Sequence, residues 1–243
     1  MSSSRPILTE AVSSVKIEAM NAELTSDLKR RAAQHAALAD PARLRIVDLL
    51  ATGDRSPLEL QMVLGMPSNL VAHHLRVLEE RGMLTRTRSE GDRRRSYLRL
   101  RAGGFAGLAS VPMTSARRVL FVCTANSARS QLAAALWQQK SAIPVASAGT
   151  HPADRVDPGA VKAARRHRLI LDAPRPLSIS DVYEDHDYVI TVCDAAHEEL
   201  SRADAVHWSV PDPVRVGTDS AFDDAYDELA RRVDDLAPRL TAA

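Results

Sequence analysis

Residues 119–137 read VLFVCTANSARSQLAAALW, and the fold class turns on them. Four apolar residues, Val119 to Val122, run directly into Cys123. So short and apolar a run suits a strand covered on both faces, as in a parallel sheet. The residues after Cys123 are small or polar up to Arg129, and apolar residues at helical spacing follow Ser130. Strand, polar loop and helix together open a βα unit. Ligands of open α/β sheets gather at the carboxyl ends of the strands, which is where Cys123 stands.

Downstream the alternation continues. SQLAAALWQQ, PGAVKAARRH, DAAHEELSR and SAFDDAYDELARRVDDLAPRL have helical character, and IPVASAG, DYVITVC and AVHWSV read as strands. Strands alternating with helices imply a doubly wound α/β domain with a four-stranded parallel sheet. Upstream the pattern is mostly helical. LTSDLKRRAAQHAALA has a start at Thr25 or Ser26, and DPARLRIVDLLATG has Asp40 as N-cap, Pro41 in the first turn and Gly53 as stop. SPLELQMVLG runs from a Ser56 cap to Gly65, and MPSNLVAHHLRVLEERG from a Ser68 cap to Gly82. Two alternating runs around SEGDRRR form a hairpin. The expected organisation is a flexible tail over 1–20, a helical module over 21–100, a linker over 101–116 (RAGGFAGLASVPMTSA) and the α/β module over 117–243.

Charge divides the same way. Residues 1–115 carry 17 Lys and Arg against 12 Asp and Glu, whereas residues 116–243 carry 15 against 19. A basic half joined to an acidic half points to two modules, one facing nucleic acid. The 243 residues hold two cysteines, Cys123 and Cys193, too few for a disulfide framework and suited to a reducing compartment. No apolar run reaches membrane-spanning length, and MSSSRPILTE lacks an apolar signal core, so the expected location is cytoplasmic, away from membranes.

The loop from Cys123 through Thr124, Ala125, Asn126, Ser127, Ala128, Arg129 and Ser130 is a C-x5-R-S pattern. Wrapped around an oxyanion, its N–H groups form an anion nest, and the following helix adds its positive end. Arg129 can grip two oxygens of a tetrahedral anion, and Ser130 can hydrogen-bond the sulfur. These groups favour a thiolate at Cys123, a nucleophile usable at neutral pH.

This pattern resembles the low-molecular-weight protein tyrosine phosphatases, and more closely the thiol-dependent arsenate reductases of the same fold. VLFVCTANSARSQLAAA, ASAGT (146–150), VITVCD (189–194) and HWSVPDP (207–213) match in order. The resemblance implies that Cys123 attacks and Arg129 with the loop holds arsenate or phosphate. It further implies that Asp212 of the D-P pair is the general acid, which on residues alone could be a turn aspartate. Cys193 stands where such reductases carry the cysteine that attacks the arsenic adduct; otherwise it is a buried inert thiol. Val214 follows the D-P pair where the phosphatases often have an aromatic residue. The third cysteine of three-cysteine reductases is replaced by Leu200, and Ala125 and Ala128 stand where glycine and cysteine are frequent. No tightly bound cofactor is expected, and an external thiol or redoxin is the implied reductant.

In the basic half, SPLELQMVLG and PSNLVAHHLRVLEERG read as a helix-turn-helix, with Ser68, Asn69, Ala72, His73 and Arg76 on the exposed part of the second helix. Arg93, Arg94 and Arg95 on the hairpin suit phosphates or a minor groove. ALADPARLRIVDLL through RRRSYLRL resembles the ArsR/SmtB winged-helix repressors, strongest in DPARLRI, HHLRVLEERG and the wing. That resemblance implies operator DNA as partner and a homodimer through this module. The cysteine metal site of such repressors has no counterpart in PLELQMVLG, and no metal is expected at the adjacent His73 and His74, which face different ways on a helix. The chain therefore reads as an arsenic-response type regulator fused to a cysteine-dependent arsenate reductase. A phosphatase domain or a non-catalytic oxyanion sensor attached to the regulator are the other readings.

Overall fold

A computed structural model describes residues 25–26, 28–29, 31–101, 114–171, 175–202 and 204–243. The expected tail over 1–20 and most of the expected linker lie outside these residues.

The first module is helical with a hairpin. Residues 25–26, 28–29 and 31–38 are helical and are labelled α1, followed by α2 (Pro41–Leu50), α3 (Pro57–Leu64) and α4 (Ser68–Glu80). Local chemistry sets the ends. Asp40 caps α2 by accepting the Arg43 N–H, with Pro41 in the first turn. Ser56 and Glu59 close a capping box on α3, and Gly65 ends it at φ +63°. Two expectations are corrected. Gly53 does not stop α2, which ends at Leu50 with Ala51 still right-handed; Gly53 is instead pressed against the second module. Ser68 does not cap α4 either: Pro67 is the N-cap, without a side-chain bond, because its fixed extended backbone already turns the chain into the helix. Strands β1 (Leu84–Arg88) and β2 (Ser96–Leu100) form the antiparallel hairpin, the wing. Ile46, Val47, Leu60, Val71, Leu75, Leu78, Met83 and Leu98 make the core beneath.

Strand β3 (Thr114–Ala116) corrects the linker: its last residues pair in parallel with β8 (Leu240–Ala242). Beyond it come β4 (Val119–Cys123), α5 (Arg129–Lys140), β5 (Val145–Gly149), α6 (Pro158–Arg166), α7 (Ile179–Val182), β6 (Tyr188–Thr191), α8 (Asp194–Leu200), β7 (Val206–His207), α9 (Pro213–Val216) and α10 (Asp219–Leu236). The sheet is parallel throughout, ordered β5-β4-β6-β7. All five residues of β4 are buried, as the unbroken apolar run requires of a central strand. Phe121, Trp137 and Trp208 pack edge-on or tilted at its centre. The α10 pattern breaks at Pro238, where a 3-10 turn (Ala237–Arg239) replaces the last helical turn expected from the sequence. Two other strands are shorter than their apolar runs: β6 ends at Thr191, and β7 keeps only two residues of AVHWSV.

The two modules are locked together. Asp54, 2% exposed, accepts from Arg232 Nη2 at 2.9 Å, from Arg99 Nη2 at 3.2 Å and from the Ser209 N–H at 2.7 Å. Burial pushes its pKa up, but the charges of Arg232 and Arg99 win and hold it below the ordinary value. Arg99 also reaches Glu228 at 2.8 Å and the Ser209 carbonyl. His197 Nε2 lies 2.7 Å from Glu59 Oε1, and the Trp208 indole donates to the Thr52 carbonyl at 3.3 Å.

Asp54→Ala leaves Arg232 charged and buried without its main acceptor; the expected loss is about 3–5 kcal/mol in denaturant unfolding. Glu59 supplies a pH dependence. Burial raises its carboxyl, yet His197 and the Ser56 cap outweigh this and bring it down to about 2 from 4.5. A depressed carboxylate stabilises fully above its unfolded value and loses that contribution as pH falls toward the folded one. Glu59→Gln is therefore expected to flatten the fall in stability between about pH 4.5 and 2, as read from unfolding midpoints across that range.

Candidate functional site

Cys123 ends β4 and α5 begins at Arg129, so the intervening loop lies between a strand end and the positive pole of a twelve-residue helix. The loop is held from outside. The N–H groups of Thr150, His151, Ala153 and Asp157 donate to the carbonyls of Cys123, Thr124, Ala125 and Ser127 at 2.8–3.1 Å. In a trans peptide the N–H of the next residue points the opposite way. Pinning these carbonyls outward thus turns the N–H groups of Thr124, Ala125, Asn126 and Ala128 inward. The Asn126 N–H shows the consequence by donating to Cys123 Sγ at 3.1 Å. A curl of inward amides above a helix N-terminus is an anion nest.

Cys123 Sγ also lies 3.1 Å from Ser130 Oγ. Asn126, at φ +49°, is the brace of the loop. Its side-chain NH2 donates to Ser130 Oγ at 2.8 Å and Ser147 Oγ at 3.0 Å, and its Oδ1 accepts the Leu177 N–H at 2.8 Å. A short amide side chain tolerates the left-handed region better than most.

A cavity of about 270 Å³ opens over the sulfur. Cys123, Thr124, Ala125, Ser127, Ala128, Arg129, Cys193 and Asp212 all line it, together with Glu90 and Arg215. Asn126 and Ser130 stand behind it, both fully buried, and act on the sulfur and the loop. Arg129 Nη1 donates to the Val210 carbonyl at 2.9 Å, and Nη2 lies 3.2 Å from Asp212 Oδ2. Burial would lower the Arg129 pKa, but Cys193, Cys123, Asp212 and Glu90 around it raise it, so the guanidinium remains a fixed cation. Asp212 caps α9 through the Val214 N–H at 3.1 Å, which aims its other oxygen at Arg129.

Cys193 lies two residues beyond the end of β6, at the N-cap of α8. Its sulfur is 3.4 Å from Thr124 Oγ1. Burial pushes its thiol up, and the nearby Cys123 pushes in the same direction, beyond what Arg129 and the Thr124 hydroxyl offset. The arrangement can seat a small tetrahedral anion against one sulfur, with a cation, a carboxyl group and a second thiol in the same cavity.

Away from this cavity, Ser68, Asn69, Ala72, His73 and Arg76 are exposed on α4, whose Val71, Leu75 and Leu78 face the core. His74 is buried, 3.7 Å from Asp40. Arg93, Arg94 and Arg95 are exposed on the wing; Arg94 pairs with Asp92 through two bonds of 3.0 and 3.1 Å. Among the cavity residues that sequence reading missed, the most telling is Glu90. Its carboxylate accepts the Asp212 N–H at 2.9 Å and Arg215 Nη2 at 2.6 Å, and lies 4.0 Å from Arg129 Nη1. SEGD carries no sign beyond that of a turn, since the two residues that hydrogen-bond the Glu90 carboxylate stand more than a hundred residues along the chain.

Two family models match the chain: low molecular weight phosphotyrosine protein phosphatase over residues 118–243, and a helix-turn-helix domain over residues 38–87. Arsenate reductase 1 of Bacillus cereus is 32% identical over 130 residues, covering 50% of this chain and 94% of that protein. Arsenate reductase of Brevibacillus brevis is 32% identical over 134 residues, covering 51% and 97%. Among solved structures, arsenate reductase of Archaeoglobus fulgidus is similar at 25% identity with a TM-score of 0.42, over 49% of this chain and 98% of that one.

Asn126→Ala removes four side-chain bonds from a buried site: those to Ser130, Ser147 and the Leu177 N–H, and one that Oδ1 accepts from Gln131 Nε2 at 3.2 Å. The expected cost is about 1–3 kcal/mol of stability, together with slower iodoacetamide labelling of Cys123 at neutral pH in the folded protein.

Proposed function

Through residues 118–243 the chain belongs to the low molecular weight phosphotyrosine protein phosphatase family, and from that premise we propose that it is a DNA-binding regulator whose second module reduces arsenate to arsenite with thiols. The observation that carries the reading is the company kept by Cys123: inward amides, Arg129, Asp212 and a second cysteine, Cys193, in one cavity. The names of the matched relatives support it.

The proposed sequence is as follows. Cys123, as thiolate, attacks arsenic while Arg129 and the loop N–H groups take the oxygens. An As–O bond breaks, and Asp212 gives the departing oxygen its proton, leaving as carboxylate beside Arg129. Cys193, once deprotonated, attacks Cys123 Sγ. The S–S bond forms, the S–As bond breaks, and its electron pair stays on arsenic, which departs as arsenite. Two thiols are oxidised as one As(V) is reduced, and an external thiol or redoxin returns the disulfide to the dithiol. With Leu200 in place of a third cysteine, that reductant must reach the Cys123–Cys193 bond itself or replace Cys193 in attacking the adduct.

In the first module, α4 is proposed to enter the major groove of operator DNA by Ser68, Asn69, His73 and Arg76, with Arg93, Arg94 and Arg95 on phosphates, in a homodimer. Among the described residues no helix is long and apolar enough to cross a membrane, and a cytoplasmic location fits free thiols.

Mass spectrometry after arsenate exposure tests the chemistry. The wild type is expected to lose two hydrogens as a Cys123–Cys193 bridge, Cys193→Ser to hold an arsenic adduct or a mixed disulfide with added thiol, and Cys123→Ser to stay unchanged. Turnover of p-nitrophenyl phosphate without arsenate-dependent thiol oxidation would establish the phosphatase reading instead; neither activity, with arsenate still shifting DNA affinity, the sensor reading. Because the Cys193 thiol is raised, the bridge is expected to form faster as pH rises above neutrality, measured by quenching single turnovers across pH.

A further inference from the structure

The wall of the Cys123 cavity is completed by the other module. Glu90 stands at the tip of the β1–β2 wing, and its carboxylate bridges the Asp212 N–H and Arg215 with Arg129 close behind. The wing is clamped there by more than this side chain. The Glu90 N–H donates to Asp194 Oδ2 at 2.7 Å. Glu198 accepts from Ser89 Oγ at 2.6 Å, the Asp92 N–H at 2.8 Å and the Tyr97 hydroxyl at 3.2 Å. A Cβ on Gly91 would come within 2.6 Å of Glu198 Oε2 and 3.0 Å of the Ala195 backbone, so the turn lies tight against α8 at this glycine. The same turn carries the exposed Arg93, Arg94 and Arg95.

We propose that Glu90 is a built-in competitor for the oxyanion site, so that filling the Cys123 loop and docking the wing tip oppose one another. The proposal rests on the reading that this loop takes an oxyanion. An anion in the loop draws on Arg129, the cation that Glu90 also faces. It adds negative charge beside a carboxylate in a partly desolvated cavity, where like charges are poorly screened. Glu90 then loses part of its hold on Arg129 and Arg215, and the wing tip is released from Asp194 and Glu198. Linkage makes the effect reciprocal: whatever draws the wing away, such as a polyanion on its arginines, tightens oxyanion binding by the same factor. The fusion of the modules acquires a physical purpose, because one carboxylate reads the site and moves with the wing.

The test uses the full chain and inorganic phosphate as probe. Iodoacetamide labelling of Cys123 is followed against phosphate concentration in the wild type and in Glu90→Gln, which keeps the side chain's size and removes its charge. The expected half-protecting concentration is roughly ten-fold lower in Glu90→Gln, within the range usual for coupled sites. Hydrogen exchange of the Glu90 and Asp92 amides in the wild type is expected to quicken severalfold at saturating phosphate. Equal half-protecting concentrations in the two proteins, or wing amides indifferent to phosphate, would overturn the proposal while leaving the oxyanion site intact. If phosphate protects Cys123 in neither protein, the oxyanion reading fails and this proposal with it.

Discussion

Asp54 sits between Arg99 and Arg232 at the junction of the modules, nearly out of reach of water. Removing a carboxylate from water is costly, and only partners of good geometry compensate. Here they come from both modules: Arg99 from β2, Arg232 from α10 and the Ser209 N–H from the segment after β7. The arrangement is satisfied only when the hairpin, the last long helix and the Ser209 backbone meet at one relative position. Everything the wing does near Cys123 follows from that geometry, because the wing is the continuation of the strand that carries Arg99.

The Cys123 loop follows the same logic on a smaller scale. Its amides do not converge by the loop's own preference; four N–H donors from the segment after β5 tie its carbonyls outward. Asn126 adds a side-chain brace that spans Ser130, Ser147 and the Leu177 backbone. The oriented dipoles are thus paid for before any guest arrives, which is the condition for electrostatic stabilisation of a charged intermediate.

Much of this was legible in the sequence because it depends on near neighbours. The buried run before Cys123, the caps at Asp40 and Ser56, the left-handed Gly65 and the hairpin are all decided within a few residues. So is the C-x5-R-S spacing that puts Arg129 and Ser130 in the first turn of α5. What escaped reading depends on distant partners. Thr114–Ala116 reads as linker because its ladder partner is β8. Gly53 reads as a helix stop because the His207 carbonyl that crowds it belongs to the other module. Glu90 reads as a turn residue for the same reason. Ser68 failed differently, since the neighbouring Pro67 already set the backbone that a capping side chain would have stabilised.

The two tryptophans of the chain occupy unlike positions. Trp137 is enclosed in the second module, its indole bonded to the Ile143 carbonyl at 3.1 Å. Trp208 is equally enclosed, but its indole bonds across the junction to Thr52 and lies under the Arg232 guanidinium at 5.8 Å. Parting of the modules would wet one indole and leave the other dry. The molecule therefore carries an intrinsic fluorescence gauge of its own docking, with an internal reference, and needs no added dye to report it.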